Sequence, residues 1–138
     1  MRTLTFILLA ACATSAHAQF NQTYTTCGTN HVTQMEAGAI SLPNDDFVIE
    51  VDTGTPQYPF SGIAVEPVTP GLDLFMGICD VAPGPVSPCS RLLDYNAADA
   101  PEVMPALWRG HYHIIVEAVN TTGPTCGQFR LIENLPLD

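Results

Sequence analysis

Tyr112-His113-Ile114-Ile115-Val116-Glu117 is the stretch that decides the class of fold. It is rich in β-branched residues and reads as a strand, on which successive side chains alternate between two faces. Tyr112, Ile114 and Val116 therefore share one face, and His111, His113 and Glu117 share the other. Outward from it, Phe47-Val48-Ile49-Glu50-Val51, Gly62-Ile63-Ala64-Val65-Glu66, Leu72 to Ile78 and Gln128-Phe129-Arg130-Leu131-Ile132 have the same character. Weaker strands run from Gly38 to Leu42 and from Ser90 to Leu93. Twelve Pro and 10 Gly punctuate the chain so often that no stretch keeps helical periodicity long enough for a core helix. Asn96 to Leu107 has room for a helical turn, limited by Pro101 and Pro105. About seven to eight short strands separated by turn residues predict an all-β protein, an antiparallel β-sandwich.

The chain has 138 residues, of which 46% are hydrophobic and 13% charged, enough apolar content for a core and too much for a disordered chain. Four Arg and no Lys stand against 14 acids, a net charge of -10 that repels phosphate backbones and anionic headgroups. Nucleic acid is thereby disfavoured as a partner.

The N-terminus has the form of an export signal. Met1-Arg2 is a short positive region, Leu4 to Ala11 is apolar, and Ala16-His17-Ala18 supplies the small residues a signal peptidase reads. Cleavage would remove residues 1–18 and leave a single domain, 19–138, with 3 Arg against 14 acids. A second processing site competes, because Leu9-Ala10-Ala11-Cys12 resembles a lipobox that would lipidate Cys12 and anchor the protein. Either route predicts a secreted or periplasmic location. The apolar run is shorter than the ~20 residues of a membrane span, so no transmembrane segment is expected.

Four cysteines remain after the leader: Cys27, Cys79, Cys89 and Cys126. An even number in an exported chain reads as two disulfides. Of the three pairings, the one favoured joins Cys79 to Cys89 across a Pro-rich loop and Cys27 to Cys126 across the domain. Zinc is disfavoured for the cysteines, since no Cys-x-x-Cys pair occurs.

Gly38-Ala39-Ile40-Ser41-Leu42 followed by Asn44-Asp45-Asp46-Phe47-Val48-Ile49 resembles the opening of bacterial pre-peptidase C-terminal domains. Gly71-Leu72-Asp73-Leu74-Phe75, Arg109-Gly110-His111-Tyr112-His113-Ile114 and Gly127-Gln128-Phe129-Arg130-Leu131 resemble later strands of that family, in order. The resemblance implies a jelly-roll-like sandwich that binds or assists and does not catalyse, with calcium bound in some members. The family usually follows an enzyme domain, and none is expected within these 138 residues. The expected role is an exported binding or surface module for a protein or polysaccharide outside the cytoplasm, accessory to secreted enzymes. No cofactor is required by this reading. A structural subunit is the third class, with exposed strand edges assembling the chain into a homo-oligomer.

Three groups of residues could carry chemistry. His111 and His113 share a strand face with Glu117 and would suit zinc or copper, particularly if His31 came close. The simpler reading, preferred on the sequence, puts the histidines on a solvated face. Asp45, Asp46, Glu50, Asp52, Asp73 and Asp80 could furnish calcium ligands, although Asn44-Asp45-Asp46 reads first as a turn. Trp108, Tyr95, Tyr58 and Phe60 could form an aromatic platform; against this, Trp108 beside Arg109-Gly110 is expected to cap the core. The serines lack the Gly-x-Ser-x-Gly context of a hydrolase nucleophile.

Overall fold

The computed structural model describes residues 20–28, 32–35, 40–82, 86–87, 89, 91–94, 96–120 and 122–134. The expected leader, residues 1–18, together with His31 and Tyr95, lies outside the described residues; Cys12 falls within it. Among the described residues eleven strands follow one another: β1 Thr23–Thr25, β2 Gln34–Met35, β3 Ile40–Ser41, β4 Asp46–Thr53, β5 Phe60–Pro67, β6 Leu74–Cys79, β7 Val86–Ser87, β8 Arg91–Leu93, β9 Glu102–Trp108, β10 Gly110–Ala118 and β11 Gln128–Asn134. Eight of them form two antiparallel four-stranded sheets, ordered β1-β11-β5-β9 and β4-β10-β6-β8. With the short β2, β3 and β7 set aside, the orders are first-eighth-third-sixth and second-seventh-fourth-fifth. This is the double Greek key of a jelly roll.

The core follows from strand alternation. Ile49 and Val51 of β4, and Ile114 and Val116 of β10, turn inward to meet Ile63 and Leu131 from the facing sheet. A second apolar cluster lies on the outer side of the β4-β10-β6-β8 sheet, where Val32, Leu42 and Cys89 cover Phe75, Cys79 and Ile115. A strand buried on both faces needs a continuous apolar run, and every residue of Leu74-Phe75-Met76-Gly77-Ile78-Cys79 is buried. The small sheet of β3, β2 and β7 belongs to this cover and contains one parallel pair, β2 with β7.

Both expected disulfides form. Cys27–Cys126 ties the start of the domain to its end, 99 residues apart in sequence, and Cys79–Cys89 closes the 10-residue excursion that carries β7.

Two sequence expectations are corrected here. The Asn96–Leu107 region contains no helical turn among its described residues; it holds a turn at Ala97–Ala100 and then β9. Pro105 is accommodated because β9 pairs only with β5 and is a sheet edge. The histidine face of β10 is only partly solvated: His111 is exposed, but His113 is 9% exposed and Glu117 fully buried. Val32, Leu42 and Cys89 pack over that side of the sheet and Asn44 bonds Glu117 there, and strand alternation alone carries no signal for it.

Candidate functional site

The aromatic pair lies at one end of the β5–β9 ladder. Phe60 and Trp108 are directly opposed across the two strands, with ring centroids 4.5 Å apart in an edge-to-face contact. Both are largely exposed, Phe60 at 46% and Trp108 at 59%. The expectation that Trp108 caps the core is therefore corrected. A bulge is the cause: between the pairs Ser61–Leu107 and Ile63–Met104, β9 spends one residue more than β5. An extra residue reverses the alternation beyond it. Glu102 and Met104 point inward before the bulge, Leu107 is buried after it, and Trp108 turns outward.

The backbone around this pair is firmly held. The Trp108 carbonyl accepts from the Tyr112 hydroxyl at 2.9 Å and the Thr53 hydroxyl at 3.2 Å, and the Arg109 N–H donates to the Pro59 carbonyl at 2.7 Å. The turn leading into β5 starts at Gly54, whose φ of +65° suits glycine and whose N–H donates to Glu133 at 2.9 Å. A Cβ there would stand 2.8 Å from the Tyr58 carbonyl oxygen. Tyr58 is half-buried beside the pair in sequence, while Tyr95 is not among the described residues.

On the outer face of β4 and β10 the register creates a ladder of opposed residues: His111 with Asp52, His113 with Glu50, Ile115 with Val48, and Glu117 with Asp46. The first two rungs bring imidazoles beside carboxylates. His111 Nδ1 is 2.9 Å from Asp52 Oδ1, His111 Nε2 is 3.9 Å from Glu50 Oε2, and His113 Nε2 is 3.4 Å from Glu50 Oε1. Glu50, His111 and His113 each offer a ligand atom within 4.8 Å of the others.

Glu117, the third ligand suggested by the sequence, has a different environment. It is buried opposite Asp46 and accepts the Asn44 N–H at 2.9 Å. Burial pushes its carboxyl up to about 8, opposed by the Asn44 hydrogen bond and reinforced by the charges of Asp46 and Asp45. The position of Glu50 was missed as a partner of the histidines because register between strands distant in sequence is not written in either strand.

The other acids are dispersed. Asp45 accepts the Gly28 N–H and Asp46 the Val32 N–H, so the acidic turn pins the segment that covers the sheet. Asp80 lies 3.3 Å from Arg91, and Asp73 is raised above its ordinary value first by burial and then by the charge of Asp94.

Comparison of the chain with protein-family profiles, with curated proteins and with solved structures finds no match.

Proposed function

We propose that this protein is an exported, non-catalytic binding module that holds a neutral polysaccharide against Phe60 and Trp108. The observation that carries the reading is the pair itself: two large aromatic rings, both exposed, on a backbone fixed by Tyr112, Thr53 and Pro59. Fixed rings bind with little ordering cost, and an aromatic face offers a sugar ring an apolar surface at its edge. A formal charge of -10 disfavours anionic ligands and leaves a neutral glycan unopposed. The patch is small beside the ~800 Å² per partner of a standard protein interface, which favours a glycan over a protein. Two disulfides fit an oxidising compartment, in keeping with export, and no helix among the described residues is long and apolar enough to cross a membrane. The resemblance to pre-peptidase C-terminal domains points the same way, toward an accessory module.

Head-to-tail assembly through strand edges is disfavoured by those edges. β9 carries Pro105 and a bulge, β4 carries Asp46, Glu50 and Asp52, and β1 and β8 have 3 residues each. Each is a device that blunts edge pairing.

The test is electrophoresis through native gels containing a soluble neutral polysaccharide: a mixed-linkage glucan, a xylan or a starch. Retardation by at least one, lost in Trp108→Ala and Phe60→Ala with the fold intact, supports the reading. Retardation unchanged in both variants contradicts it, as does capture of a protein partner through the same two rings with no retardation in any gel.

A further inference from the structure

The geometry points to a binding site for one divalent transition-metal ion, zinc or copper, formed by Glu50, His111 and His113 on the outer face of the β4–β10 pair, with Asp52 as the positioning residue. Distances separate this reading from a plain hydrogen-bonded ladder. His113 Nε2 to Glu50 Oε1 is 3.4 Å and His111 Nε2 to Glu50 Oε2 is 3.9 Å, both long for a good hydrogen bond, whose usual length is ~2.9–3.0 Å. The 3.4 Å separation is close to the edge of a tetrahedron of ligands ~2.0–2.1 Å from a central ion, about 3.3 Å, and the 3.9 Å one, to the other oxygen of Glu50, is longer; one ligand atom from each of the three residues lies within 4.8 Å of the others. The rings of His111 and His113 stand 5.4 Å apart in an edge-to-face arrangement, at 89°, which leaves their nitrogens at the ring edges free to turn toward Glu50.

Asp52 supplies the second element of the argument. Its Oδ1 lies 2.9 Å from His111 Nδ1, a normal hydrogen-bond length. A carboxylate at Asp52 accepts from Nδ1, which leaves Nε2 as the nitrogen open to a metal ion on the side of Glu50. A carboxylate that orients a histidine through its second nitrogen is the usual outer partner of a metal-bound imidazole. The cross-strand register makes this arrangement, since Asp52 is paired with His111 and Glu50 with His113.

His113 is the third element. It is almost completely buried, and the nitrogen it turns toward Glu50 is Nε2, held there by the strand with little competition from water. Two imidazoles and one carboxylate suit zinc or copper and are a poor set for calcium, which prefers six to eight oxygens. Three protein ligands leave a fourth position of a tetrahedron open on the side of exposed His111. The site is independent of the aromatic pair, so failure of one reading leaves the other standing.

The test uses the metal-stripped exported chain, with ZnCl2 and CuSO4 each titrated alone by calorimetry and the bound metal measured after dialysis. One ion per chain is expected. His111→Gln, at an exposed position that does not threaten the fold, should weaken it at least tenfold, as should Glu50→Gln. Asp52→Asn should weaken binding about 10–100-fold with stoichiometry unchanged. The Co(II)-loaded protein should show the intense visible absorption of a tetrahedral ion, retained in Asp52→Asn and lost in His111→Gln. Absence of saturable binding by either ion, or binding that is the same in His111→Gln and Glu50→Gln as in the parent, would overturn the site. Unchanged affinity in Asp52→Asn would overturn the positioning role.

Discussion

Leu107 is buried and its neighbour Trp108 is in solvent because the β9 bulge lies just before both. Had β9 continued in regular alternation from Glu102 and Met104, Trp108 would face the core and Leu107 the water. The two residues should therefore behave oppositely on truncation. Leu107→Ala removes a side chain from the core and is expected to cost about 2–5 kcal/mol, whereas Trp108→Ala should change stability by about 0.5 kcal/mol or less. Urea denaturation of the two variants checks this, and similar losses would mean that Trp108 is packed.

The staples should rank by the loop each closes. Cys27–Cys126 spans 99 residues and Cys79–Cys89 spans 10, for which chain entropy gives about 4.7 and 2.7 kcal/mol respectively. Cys79 and Cys89 are also buried in the outer cluster, so their removal adds a packing loss and narrows the gap. Double replacement of Cys27 and Cys126 by Ala is still expected to lower the urea midpoint more than double replacement of Cys79 and Cys89. The reverse order would show that the outer cluster outweighs closure of the domain.

Glu117 predicts a pH dependence with a defined sign. Its carboxyl titrates near 4.5 when unfolded and is pushed up to about 8 in the fold. Between those values the folded chain holds a proton that the unfolded chain has released, so this group's contribution to stability falls as pH rises. The slope is at most about 1.4 kcal/mol per pH unit. Glu117→Gln, which keeps an acceptor for the Asn44 N–H, should flatten the stability profile between about pH 4.5 and 8 and be the more stable form above it. Parallel profiles for parent and variant would mean that Glu117 is ionised in the fold.

How far the sequence could be read depended on whether the information was local. The strands around Ile49, Ile63, Met76, Ile114 and Leu131 were legible from β-branched runs and turn residues, and so was the pairing of the cysteines. β9 was not, because Pro101 and Pro105 argue against a strand unless it is known to be an edge. β1, β2 and β7, at two or three residues each, are too short to have a period. At the candidate sites, His111 and His113 were visible as a same-face pair, but Glu50 and Asp52 join them only through the register of β4 against β10. Trp108 was assigned to the core because a bulge leaves no mark in composition. Glu117 is closed over by Asn44, 73 residues away in sequence, a tertiary effect no strand pattern contains.

The most direct test of the aromatic site uses the chain's one tryptophan as its own reporter. Trp108 is 59% exposed, so its fluorescence should be red-shifted and readily quenched by acrylamide in the free protein. Titration with the neutral polysaccharide that retards the protein should shift the emission to the blue and reduce quenching with the same saturation curve as binding, and Phe60→Ala should weaken both together. A protein that binds the polysaccharide while Trp108 stays as red-shifted and as quenchable as in the free state would contradict the assignment of the site.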